Sequence, residues 1–143
     1  VPPEIVFDVG LGDLFVIRTA GHVLDTAVLG SLEFGVAELA IPLLLVLGHE
    51  RCGAVTATLD AVHEGTEAEA HIAAVMESIR PSVEKAIEQP GDPLDTAVRI
   101  HVEQTVHTLR EQPFFADAIA RRALTIAGAY YDLETGLIDV IVP

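Results

Sequence analysis

The stretch from Leu43 to Val55, LLLVLGHERCGAV, constrains the chain more than any other. An apolar run of strand length stops at Gly48 and passes within a few residues into small side chains suited to a helix start. A strand feeding a helix through a glycine turn makes a place where backbone N–H groups point outward and favour negative charge. His49 and Cys52, the only cysteine, stand three positions apart in that turn. A thiol at a helix N-terminus ionises readily, and a neutral imidazole beside it adds one borderline nitrogen to one soft sulfur. That pair suits Zn²⁺ better than Mg²⁺ or Ca²⁺. Two donors do not close a coordination shell, and a buried cysteine packing only as a small hydrophobe is the competing reading.

The rest of the composition narrows the field by exclusion. A chain of 143 residues, half of them apolar, is long enough for one domain with a substantial core. Its longest apolar stretch, Leu39 to Leu47, is broken by Pro42 and too short to span a bilayer. Eight basic residues against 22 acidic ones give a formal charge of −14, which repels phosphate backbones and anionic membrane surfaces. Neither nucleic acid nor a membrane is therefore expected as a partner. One cysteine forms no internal disulfide, and the opening shows no basic segment followed by an apolar one, so a reducing cytoplasm is the expected compartment.

Periodicity sets out the elements in order. Pro2 and Pro3 argue against a regular start, and Gly10 and Gly12 mark a turn before Leu14 to Arg18, a short predicted strand. Val28, Leu29, Leu32, Val36 and Leu39 recur at helical spacing behind Asp25 or Thr26 as caps. After the central strand, a helix runs from Cys52 toward His63. Thr66 with Glu69 reads as a capping box for a helix over about residues 67–80 that ends before Pro81, with another through Ile87. Asp92 followed by Pro93 opens a long amphipathic helix through Leu109. A short helix around 115–122 leads into a hairpin of Leu124–Tyr131 and Leu137–Val142 about the turn Glu134-Thr135-Gly136. The expected fold class is α/β, a mainly parallel sheet flanked by helices with an antiparallel C-terminal edge strand.

Gly48-His49-Glu50-Arg51-Cys52-Gly53 resembles the G-H-x-x-C-G signature of the β-class carbonic anhydrases. Asp13 to His22, DLFVIRTAGH, resembles that family's preceding conserved block, and VPPEIVFDVGLG resembles the segment that joins the block to the family's first metal motif. The resemblance covers most of the chain, in order. It implies a single β-carbonic anhydrase domain over residues 1–143, zinc as cofactor with His49 and Cys52 among its ligands, and reversible hydration of CO₂ to bicarbonate and a proton. It also implies that Phe15, Ala20 and Phe34 line the substrate pocket and that the backbone N–H of Gly53 faces the substrate. Core packing accounts equally for Phe15 and Phe34, and Gly53 is also explained by relief of crowding.

The same resemblance implies an absence. In the family a C-x-D-x-R motif supplies a further zinc cysteine and the catalytic Asp–Arg pair, at the end of an interior strand, directly before a segment like Val1–Glu4. No catalytic residue is therefore assigned within the chain, and the expectation is a domain lacking its N-terminal arm and first strand. Removing an interior strand would leave two rows of backbone groups unpaired, which a marginally stable domain tolerates badly. Asp13 and Arg18 match the second block, not that motif, and are read as a surface ion pair. His22 reads as a solvated turn histidine, with a proton carrier as the alternative. His63, His71, His101 and His107 read as surface residues. The family also implies a homodimer or a higher even oligomer. An inactive assembly protein and a related CS₂ or COS hydrolase are the other readings the sequence leaves open.

Overall fold

A computed structural model describes residues 1–143. The sheet has three strands in the order β1 (Leu43–His49), β2 (Thr125–Tyr131) and β3 (Ile138–Val142). β1 pairs with β2 in parallel, with Leu43 opposite Thr125 and His49 opposite Tyr131, and β2 pairs with β3 antiparallel across a register shift at Gly128/Ala129. The expected mixture of a parallel pair and an antiparallel C-terminal edge is thus present. β2 is buried on both faces from Ile126 to Tyr130, as a central strand should be, whereas β1 alternates and buries Leu44, Val46 and Gly48.

Six helices surround the sheet: α1 (Pro3–Val6), α2 (Thr26–Glu38), α3 (Gly53–Glu64), α4 (Ile72–Ile87), α5 (Pro93–Glu111) and α6 (Pro113–Ala120). α5 lies across β1 and β2 with Val98, Val102, Val106 and Leu109 on its buried side. The close approach needs glycine in both strands. A Cβ at Gly48 would stand 2.5 Å from Val102 Cγ2, and one at Gly128 would stand 2.8 Å from Val102 Cγ1. One core cluster joins β1, β2, α5 and α6 around Phe115 and Ile126; the other joins α3, α4 and α5 around Ile79 and Val83 and includes Cys52.

Local chemistry explains most boundaries. Asp25 Oδ1 accepts the Val28 N–H at 2.8 Å to cap α2, and Asp92 Oδ1 accepts the Leu94 N–H at 3.0 Å to cap α5 behind Pro93. Gly65 ends α3 in the left-handed region at φ 64°.

Three expectations are corrected. Leu14–Arg18 is not a strand: β1 bonds only to β2, so its far edge is free, and the segment lines a cleft that β1 also lines. A segment becomes a strand only with a ladder partner. Pro3 does not prevent order but starts the single turn of α1, where its missing N–H would be unpaired in any case. The helices expected on either side of Pro81 are one helix, α4, and it begins at Ile72 without the Thr66 capping box. Pro81 and Glu77, whose carbonyl it cannot bond, both lie on the exposed side of α4.

Candidate metal centre

β1 delivers His49 at its last position and Cys52 occupies the N-cap of α3, so strand and helix bring the two side chains to one place. The turn between them is firmly held. The Glu50 N–H donates to the Tyr131 carbonyl at 2.9 Å, and Glu50 Oε2 accepts the Leu133 N–H at 3.0 Å. Arg51 completes the turn with a positive φ of 54° and points its guanidinium at Glu50, 3.6 Å away. A carbonyl only accepts, so the 2.9 Å contact from His49 Nδ1 to the Glu50 carbonyl places the imidazole proton on Nδ1. The Nε2 lone pair is then available as a donor to a metal.

The electrostatics fit a ligand pair. The hydrogen bond with Cys52 raises the His49 imidazole above its usual value, outweighing burial, which works the other way. Burial pushes the Cys52 thiol up, but the His49 hydrogen bond and the backbone N–H groups of Val55 and Ala54 outweigh it and leave the thiol below its usual value. Cys52 is therefore no inert core thiol, although it packs in the second cluster. The donors suit zinc in kind and fall short in number. No three His, Cys, Asp or Glu side chains of residues 1–143 gather closely enough to hold a metal ion.

His49 and Cys52 open onto a cleft of about 780 Å³ lined chiefly by apolar side chains of β1 and residues 13–19. Phe15 lines this cleft and is 44% exposed. Ala20 is exposed at the start of a 3₁₀ turn, Ala20–His22, between two cleft-lining residues, Thr19 and Gly21. Phe34 stands 53% exposed on α2. Gly53 opens α3 next to Cys52, with free space where a side chain would stand. Asp13 and Arg18 form no ion pair; Asp13 Oδ2 accepts the Gly10 N–H at 2.7 Å.

Two histidines expected at the surface are drawn inward, His101 fully and His22 in part. His22 packs its ring 4.3 Å from that of His101, and burial, then the neighbouring His101, push its pKa down to about 3. His101 is only 4% exposed; its Nε2–H donates to the Gly21 carbonyl at 2.8 Å, and its Nδ1 lies 3.1 Å from Ser82 Oγ. The apolar positions Ala97, Val98 and Val102 around His101 on α5 were the signal that could have placed it inside.

Comparison with known proteins gives this geometry its context. The carbonic anhydrase family model matches residues 1–138. Carbonic anhydrase 2 of Mycobacterium tuberculosis is 44% identical over 137 residues, covering 95% of this chain and 66% of its own length. The carbonic anhydrase of Mycolicibacterium smegmatis is 41% identical over 141 residues, covering 98% of this chain and 68% of its own length. Among solved structures, a Coccomyxa β-carbonic anhydrase in complex with acetazolamide superposes with a TM-score of 0.87 at 30% identity, over 100% of this chain and 67% of that one. The chain thus spans about two thirds of the length of these relatives. With the His49–Cys52 pair of its strand-to-helix turn set beside these matches, the chain belongs to the β class of the carbonic anhydrase family.

Proposed function

We propose that residues 1–143 form the larger part of a zinc-dependent enzyme that hydrates CO₂ reversibly to bicarbonate and a proton. The observation that carries this reading is the His49–Cys52 pair, a thiol of lowered pKa and an imidazole with its proton fixed on Nδ1, at the mouth of an apolar cleft. These two side chains would hold the metal, which when bound supplies Lewis acidity toward water. The Glu50 carbonyl orients the imidazole, and the start of α3 favours the thiolate. Phe15, which lines the cleft, receives the small apolar substrate in this proposal, and Ala20, Phe34 and Gly53, which lie outside the cleft lining, join it only once the site is closed by further chain.

The remaining ligands and the acid–base pair belong, in this proposal, to chain outside residues 1–143. Its strand fills the cleft between the free edge of β1 and Leu14–Arg18, giving both segments the ladder partner they lack. The exposed Phe34 on α2 suits a site closed by a second copy, and a homodimer or larger even assembly is part of the same proposal. The unpaired single cysteine favours the cytoplasm as its compartment.

Zinc per chain and CO₂ hydration by the full-length protein test the reading together. One zinc and rapid turnover are expected, both lost in Cys52→Ser. Full zinc retention in that variant overturns the ligand assignment, and turnover of CS₂ or COS in place of CO₂ overturns the substrate.

A further inference from the structure

We infer that His101 is a positioning residue for the site, acting through a buried relay that fixes the turn of Ala20–His22 at the edge of the cleft; this rests on the function proposed above. His101 lies on α5 and is not a neighbour of the metal donors in sequence, yet it bonds a carbonyl 80 residues away, that of Gly21, at 2.8 Å. Behind it, Ser82 Oγ on α4 lies 3.1 Å from His101 Nδ1 and 2.7 Å from Gln104 Oε1. All of these groups except the Gln104 amide are buried.

Proton counting fixes the direction of the relay. The Gly21 carbonyl can only accept, so His101 Nε2 carries a proton, and a neutral ring then leaves Nδ1 as an acceptor. The Ser82 hydroxyl has one proton. Were it given to Gln104, Nδ1 would need a second proton and the ring would be a cation with no carboxylate bonded to it, which burial opposes. The consistent arrangement turns the Gln104 side-chain amide over, so that its NH₂ stands where Oε1 is placed and donates to Ser82, with Ser82 donating to His101 Nδ1 and His101 donating to Gly21.

What the relay holds is the turn itself. Gly21 has a φ of 61°, and a Cβ there would stand 2.6 Å from Ile79 Cδ1, so the turn is pressed against α4 while its carbonyl is tied to α5. The next residue, His22, stacks on His101 and lines the cleft together with His49 and Cys52. Its Nε2 is buried without a partner, so the relay also sets where a polar group of the cleft's occupant would find that nitrogen. A loosened relay lets the turn swing and misplaces Ala20 and His22 without touching either metal donor.

The test uses the full-length, zinc-loaded protein. Ser82→Ala removes the donor to Nδ1 with little change in volume. In ¹⁵N spectra His101 is expected as the Nε2–H tautomer in the parent and in Ser82→Ala, because the Gly21 carbonyl still fixes it, with the Nδ1 resonance of Ser82→Ala shifted as it loses the Ser82 proton. With zinc content unchanged, kcat/KM for CO₂ should fall about tenfold, the size of one lost buried hydrogen bond. His101→Gln, which keeps an N–H for the Gly21 carbonyl, should retain more activity than His101→Leu. Ser82→Ala with parental kcat/KM overturns the positioning role, as does a fall that follows loss of zinc. An Nδ1–H tautomer in the parent, or an Nδ1 resonance that does not move in Ser82→Ala, overturns the relay. An inactive parent protein refutes the proposed function instead, and the tautomer together with the His22 ring shifts still decides whether the relay holds the turn.

Discussion

Gly48→Ala asks whether the contact between α5 and β1 is as tight as its geometry implies. The new methyl would stand 2.5 Å from Val102 Cγ2 and 3.1 Å from Val98 Cγ1. Ordinary carbon contacts begin near 3.5 Å, so α5 or β1 must withdraw by about 1 Å. A valine on a helix has little rotamer freedom with which to yield, so the backbone has to move. Overpacking of this kind costs about 1 to 3 kcal/mol. Each kcal/mol lowers Tm by about 3 °C in a domain of this size. Val102→Ala alone removes two buried methyl groups at a cost of about 2 kcal/mol. Combined, the two changes should relieve each other, leaving the double variant at least about 1 kcal/mol more stable than the sum of the single effects. Urea denaturation of the full-length protein at fixed zinc and protein concentration measures all four chains. Additivity within about 0.5 kcal/mol would refute the argument.

Two further outcomes follow from groups already described. His22 ionises at 6.5 when unfolded and at about 3 when folded, so its contribution to stability is complete above pH 6.5 and is lost as pH falls through that window. By about pH 4.5 the loss reaches about 3 kcal/mol. His22→Asn should flatten the stability profile there, and an unchanged profile would contradict the buried neutral imidazole. Asp92→Ala removes the side-chain cap of α5 and should cost about 1 kcal/mol in the same denaturation assay, with Asp92→Asn nearly neutral.

Elements whose signals are local were legible in the sequence. The apolar run of β1, the Asp92-Pro93 start of α5 and the Glu134-Thr135-Gly136 turn each carry their own chemistry, and each lies where the residues put it. Leu14–Arg18 failed because β-propensity describes a residue's fit to a pleated surface and not whether a partner strand is there to bond it. Pro81 failed for a related reason: tertiary packing of α4 against α3 and α5 outweighs one missing backbone bond on an exposed face. The meeting of His49 and Cys52 was readable because both side chains lie in one turn. His22 and His101 were not, since their burial depends on a meeting of the Gly21 turn with α4 and α5 across 80 residues of sequence.

The Glu50 carboxylate ties the turn bearing His49 and Cys52 to the Leu133 amide in the β2–β3 hairpin, across 83 residues of sequence. That bond makes the hairpin and this turn partners in a thermodynamic linkage. Whatever orders this turn also protects the Leu133 amide from hydrogen exchange, and whatever grips the hairpin returns the same free energy to the turn. The exchange rate of one amide far along the chain thus reports on the turn of His49 and Cys52 without lying in it.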